Sequence, residues 1–217
     1  MNILIGCECS GVIREAFRAK GHNAISCDLK PARDNSPHHI QADLFSLDFN
    51  FFQRAIIHPP CTFLTVTANK WLKDQPARKS GALVGKERRE AQQKAIDFFI
   101  KCWNIPIEEM CLENPVGIMS TVWRKPDQII SPHYFGDKEP KTTCLWLRNL
   151  PKLFHAKQDD LFASKTHVEP EYHTTKSGKR MPKWYAYADK TKGQEHRAEI
   201  RSNTFPGIAN AMADQWL

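Results

Sequence analysis

The chain has 217 residues, of which 41% are hydrophobic, enough to bury the core of one main domain. Its formal charge of +7 and pI near 9.0 point to a polyanionic partner. No apolar run approaches the length of a bilayer span, and seven cysteines at no framework spacing exclude a disulfide scaffold, so a cytosolic protein with reduced thiols and no membrane contact is expected. The cysteines and histidines show no spacing typical of zinc, and no metal is expected.

In chain order, Asn2 to Cys7 reads as a buried strand and Gly11 to Lys20 as a helix carrying Val12, Ile13, Ala16, Phe17 and Ala19, stopped by Gly21. Ala24 to Cys27 is a second strand ending at Asp28, and Ile40 to Asp43 a short third. Phe51 to His58 forms the fourth. Lys86 to Trp103 is a long helix with Ala91, Ala95, Phe98, Phe99 and Cys102 on its apolar face, and Glu109 to Glu113 is the fifth strand. This alternation predicts an α/β fold with a doubly wound, mostly parallel sheet.

Beyond Pro132 the texture changes. Thr142 to Leu147 reads as a strand, whereas Pro151 to Arg201 is polar and basic with little periodicity, either a small irregular insertion or a mobile arm. Ile208 to Leu217 reads as a terminal helix, with Thr204 as its cap ahead of Pro206. The expected division is a core over residues 1–150, a small basic segment over 151–200, and a turn and helix over 201–217 that return to the core. Positive charge concentrates in two stretches, with eight Lys/Arg against three acids both from Lys70 to Lys94 and from Lys176 to Arg201. Such stretches beside a site would track phosphates.

Three constellations carry chemistry. The first is the turn Gly6-Cys7-Glu8-Cys9-Ser10-Gly11, where small residues after the first strand let the backbone approach a ligand; read alone, it is equally a tight turn with none. The second is Asp28 with Asp43, acids placed to hold the ribose and adenine of an adenosine-containing cofactor, or to cap helices. The third is Cys61 with Glu113, each just past the end of neighbouring strands, where a thiol nucleophile and a buried acid of raised pKa would face one reaction volume. Read alone, either is also ordinary packing or a turn.

The order Gly6-Cys7-Glu8-Cys9-Ser10-Gly11, Cys27-Asp28, Ala42-Asp43, Pro59-Pro60-Cys61, Glu113-Asn114-Pro115, Tyr134-Phe135-Gly136 with Lys141-Thr142-Thr143, and Ser202-Asn203-Thr204 resembles the DNA (cytosine-5)-methyltransferases, in particular their short phage-encoded members. The resemblance spans nearly the whole chain except roughly residues 152–199. It implies a Rossmann-like methyltransferase fold, S-adenosyl-L-methionine as cofactor, DNA as substrate, single- or double-stranded, and a monomer in the bacterial cytosol or a phage-infected host. Cofactor contacts are then expected from Gly6, Glu8, Cys9, Ser10, Gly11, Asp28, Leu29, Asp43, Leu44, Pro59 and Asn203. Substrate contacts are expected from Pro60, Thr62, Asn114, Lys141 and Thr143. Cys61 would add to cytosine C6 while Glu113 contacts N3 and the exocyclic amine.

The same resemblance makes Thr62 to Gly85 a mobile lid, in which Thr65 and Thr67 are polar, Trp71 stacks, and Lys70, Lys73, Arg78 and Lys79 meet phosphates; its plain alternative is a solvated basic loop. This chain departs from the family where Thr62 stands for glutamine, Pro115 for valine, and Lys141 and Thr143 for an arginine pair. The recognition segment is also far shorter than usual. Two other readings compete: an amino-methyltransferase acting on adenine N6 or cytosine N4, for which His58-Pro59-Pro60 fits but Cys61 replaces the aromatic, and a catalytically silent nucleic-acid or cofactor-binding decoy.

Overall fold

Alternate residues of each central strand are apolar on both sides, so the sheet needs cover on both faces, and helices supply it. The computed structural model describes residues 1–78, 80–156, 165–175, 177–183, 185–186 and 204–216. Its main sheet has seven strands: β1 (Asn2–Gly6), β2 (Asn23–Asp28), β3 (His39–Gln41), β4 (Arg54–Ile57), β5 (Glu109–Pro115), β6 (Gln128–Ile130) and β7 (Thr143–Arg148). Their order is β3-β2-β1-β4-β5-β7-β6. The first five strands are parallel, while β7 runs antiparallel to both β5 and β6.

Side-chain alternation divides the core in two. Leu4, Ala55, Ile57, Met110, Leu112, Cys144 and Trp146 face the long helix α2 (Gly85–Trp103), which contributes Phe99 and Cys102. Ile3, Ile5, Ile56, Cys111 and Leu145 point the other way, onto α1 (Val12–Ala19), with Ile13 and Phe17, and onto the last helix, described below. The result is the doubly wound, mostly parallel α/β sheet that the alternation of strands and helices predicts. No described helix is long and apolar enough to cross a membrane.

Several boundaries move. The fourth strand is confined to Arg54–Ile57, because Asp48 accepts a hydrogen bond from the Asn50 amide and turns Phe49–Phe51 into a 3-10 helix. The third strand ends at Gln41, and Asp43 lies beyond it, accepting from the Phe45 amide at 2.8 Å to cap another 3-10 turn. A short helix α3 (Met119–Val122) and the three-residue β6 have too few residues for a periodic signal. Within the polar segment Pro151 to Arg201, the described residues include a small hairpin, β8 (Tyr172–Thr174) with β9 (Arg180–Pro182), whose neighbouring Glu171 pairs with both Lys138 and Lys183. Most of the second basic stretch lies outside the described residues.

The last helix, α4, runs Pro206–Gln215. Thr204 does not cap it. Phe205 is the N-cap residue and makes no side-chain cap bond, while Asp137 reaches across to accept from the Gly207 amide at 2.8 Å. A Cβ on Gly207 would lie 2.2 Å from the Phe135 carbonyl oxygen, so this approach requires glycine. Two arginines, Arg54 buried and Arg148 partly so, fix the frame. Arg54 on β4 bonds Glu109 and the Trp216 carbonyl at the end of α4, and Arg148 on β7 bonds the carbonyls of Trp103, Ile105 and Ile107 after α2.

Candidate active site at the strand ends

The register that pairs Gly6 with Ile57, and Ile57 with Leu112, brings the C-terminal ends of β1, β4 and β5 to one edge. His58 continues that row, its amide bonded to the Gly6 carbonyl at 2.9 Å. Asn114 is buried and donates from Nδ2 to the Pro59 carbonyl at 2.6 Å, tying the Pro59-Pro60-Cys61 turn to β5; Pro59 is buried, while Pro60 and Thr62 are exposed. Cys61 follows, partly exposed, and its carbonyl accepts from the Leu64 and Thr65 amides.

Glu113 is largely buried beside it. His58 Nδ1 lies 2.9 Å from Glu113 Oε2, and Lys141, Thr143, Ile208 and Met212 close the pocket around the pair. Burial pushes the Glu113 carboxyl up, but the His58 hydrogen bond, the charges of Lys141 and His58, and the Thr143 hydroxyl outweigh it and hold the group below its ordinary range. The expected acid of raised pKa is therefore a carboxylate. Cys61 moves the opposite way: burial, then the Glu113 charge, push its thiol up, and Lys141 opposes them only in part. The Cys61 thiol thus feels both the Glu113 charge and the Lys141 cation that share the neighbouring pocket.

The turn after β1 forms an adjoining crevice. Cys7 adopts a left-handed φ of 56° and lies beneath it, among the residues packed on the α2 side of the sheet. Glu8 is buried, accepts from the Ser10 hydroxyl through Oε1, and leaves Oε2 buried with no partner among the described residues. Gly6 has Leu44 within 3.0 Å of where a Cβ would stand, and Gly11, at φ 81°, leaves room for the buried Arg14 guanidinium. Arg14 bonds Ser26 and Asp34, and the Arg33 amide bonds the Cys9 carbonyl, so the loop after β2 folds over this turn. Asp28 spends one oxygen on the Lys30 amide; Leu29 beside it is exposed. The structure brings Gly6, Glu8, Cys9, Ser10, Gly11 and Asp28 to one strand end, with Leu44 packed beneath and Asp43 exposed at the adjoining turn. Asn203 lies outside the described residues.

The segment from Thr62 to Gly85 is tied at several points. Thr65 bridges Gly117, the Ile118 amide donates to the Leu64 carbonyl at 2.8 Å, Gln92 holds the Phe63 carbonyl, and Arg89 holds the Leu72 carbonyl and Asp74. Between these ties Val66–Leu72 is a 3-10 helix, more ordered in shape than a bare lid. The Trp71 ring lies under the Arg78 guanidinium at 3.8 Å and the Lys70 ammonium at 4.7 Å. The Thr67 side chain and Lys79 are outside the described residues.

The pairing of His58 with Glu113 is the feature that motif reading missed. His58-Pro59-Pro60 drew notice for another chemistry, and the parallel register of β4 and β5 is what makes the pair visible.

No protein-family model and no curated protein matches the chain. Among solved structures it is similar to a candidate DNA modification methyltransferase encoded within a prophage of E. coli, with 13% identity and a TM-score of 0.45 over 78% of this chain and 52% of that one. The chain thus spans about half the length of that structure. A likeness so slight leaves the architecture to rest on the strand order itself.

Proposed function

We propose that the protein is an S-adenosyl-L-methionine-dependent methyltransferase that modifies cytosine C5 in DNA through a covalent bond from Cys61 to C6. The observation that carries this reading is the edge shared by β4 and β5, where Asn114 ties the Pro59-Pro60-Cys61 turn to the strand that bears Glu113. Glu113 takes the Cys61 proton and passes it to cytosine N3 as the sulfur adds to C6, so the thiol proton ends on the ring and no net charge builds up there. Cytosine C5 then takes a methyl group, loses its proton to solvent, and re-forms the C5–C6 double bond with departure of the sulfur; N3 returns its proton through Glu113 to Cys61. Lys141 supports the ionised forms throughout.

The cofactor when bound supplies an electrophilic methyl group on a sulfonium sulfur. The residues present fit it. Glu8 Oε2 is the buried acceptor that an ammonium group needs, and Asp28 and Asp43 each keep a second carboxylate oxygen for hydroxyl or amine donors. Pro60, Thr62, Asn114 and Thr143 would border the base. The basic Lys70–Trp71 segment next to Cys61 would meet the phosphates of a duplex or single strand presenting an unstacked cytosine.

Incubation with 5-fluorocytosine DNA and cofactor is expected to leave an adduct on Cys61, since fluorine blocks the loss at C5. Cys61→Ala is expected to abolish methyl transfer and keep cofactor binding; full activity in that variant would overturn the covalent mechanism. A second reading has one observation in its favour. His58, ahead of Pro59-Pro60, sits where amino-methyltransferases hold the target amine, and an N-methylated product without adduct would select it.

A further inference from the structure

His58 has no place in the resemblance to cytosine-5 enzymes, yet it hydrogen-bonds Glu113 directly. Its Nδ1 lies 2.9 Å from Glu113 Oε2, whereas Nε2 is buried with no partner among the described residues. An N–H buried without an acceptor costs more than a bare lone pair buried in the same place, and a carboxylate only accepts. This assigns the tautomer. The proton is on Nδ1, donated to Glu113.

We propose that His58 is a positioning residue that fixes both the orientation and the ionised state of Glu113, making it the acceptor for the Cys61 proton. The other groups facing Glu113 do not replace it. Lys141, from the segment leading into β7, contributes charge, and Thr143 a hydroxyl. Cys111 on β5 and Cys144 on β7 are thiols pushed up by burial and by the Glu113 charge itself, as Cys61 is. The α4 side presents Ile208 and Met212, which are apolar. Without the Nδ1 donor, burial dominates and Glu113 holds a proton at higher pH. It then cannot take one from Cys61.

The proposal rests on the covalent reading for the task of Glu113, but its first test needs neither DNA nor cofactor. Carboxyl carbon NMR of glutamate-labelled protein, with Glu113→Gln used for assignment, is expected to show Glu113 titrating below ordinary carboxylates. In His58→Leu the titration is expected to move up by at least one pH unit. In His58→Asn, whose amide offers a donor near the position of Nδ1, it is expected to return toward the unaltered value. An unchanged Glu113 titration in His58→Leu, or His58→Asn behaving like His58→Leu, would overturn the proposal. Ring nitrogen shifts of His58 in the unaltered protein give an answer that needs no variant to fold, and a proton on Nε2 rather than Nδ1 would equally overturn it. With 5-fluorocytosine DNA, His58→Leu is expected to lose adduct formation at higher pH than the unaltered protein on the acid side of the profile. Absence of any adduct in the unaltered protein would remove the covalent reading and leave the titration result standing.

Discussion

At the residue scale, the site is governed by which of two neighbours holds a proton. Cys61 and Glu113 are each pushed toward the neutral form by burial, and the local partners decide the outcome: His58 and Lys141 rescue the carboxylate, while Lys141 and a backbone hydrogen bond do not overcome burial and the Glu113 charge at the thiol. The free protein should therefore be sluggish toward alkylation. Iodoacetamide labelling of Cys61, followed by mass spectrometry, is expected to rise only above the ordinary thiol range. Glu113→Gln removes a repelling charge and is expected to speed labelling at a given pH by roughly threefold to tenfold, and Lys141→Gln to slow it by a similar factor. Equal labelling in all three proteins would contradict this electrostatic account. The identities of Cys61 and Glu113 were legible from the chain, because a polar residue after an apolar strand is conspicuous. Their protonation states were not, since they depend on His58 and Lys141, which are remote from Glu113 in sequence.

At the element scale, strands with three or more consecutive or near-consecutive apolar residues and the helices α1 and α2 could be read directly, because burial imposes a period of two or 3.6 on them. What escaped were β6, α3 and the hairpin of β8 and β9, held by cross-chain pairing rather than by a pattern of their own. The tie between the turns after β4 and β5 belongs to this group. A Cβ on Gly117 would stand 2.3 Å from the Leu64 carbonyl oxygen, so the bridge to Thr65 and the Ile118 amide bond both depend on a glycine that has no motif to announce it. Gly117→Ala is expected to lower stability by about 1–3 kcal/mol in urea unfolding and to speed amide exchange at Ile118. Unchanged exchange there would mean that the contact contributes little.

At the scale of the whole molecule, the last helix is tied to the central sheet beneath the site. Arg54 lies on a central strand, 2% exposed, and links Glu109 to the carbonyl of Trp216 at the far end of the sequence. Arg54→Ala would leave a partly buried carboxylate and a helix-end carbonyl without their donor. A loss of about 3–5 kcal/mol is expected in thermal or urea unfolding, the range for breaking a buried pair by removing one partner. Removal of α4 by truncation would expose the same groups together with the apolar side of α1.

The direction of β7 sets where its preceding residues are delivered. Were it parallel to β5, like the four strands before it, the segment entering it would arrive at the opposite edge of the sheet. Six residues of strand span about 20 Å, so Lys141 would be carried that far from Glu113. One reversed strand therefore places an ammonium group, from a part of the chain with no other route to the cleft, where a carboxylate and a thiol compete for a proton. Inverting that strand by design would leave most of the core contacts possible and take away the cation.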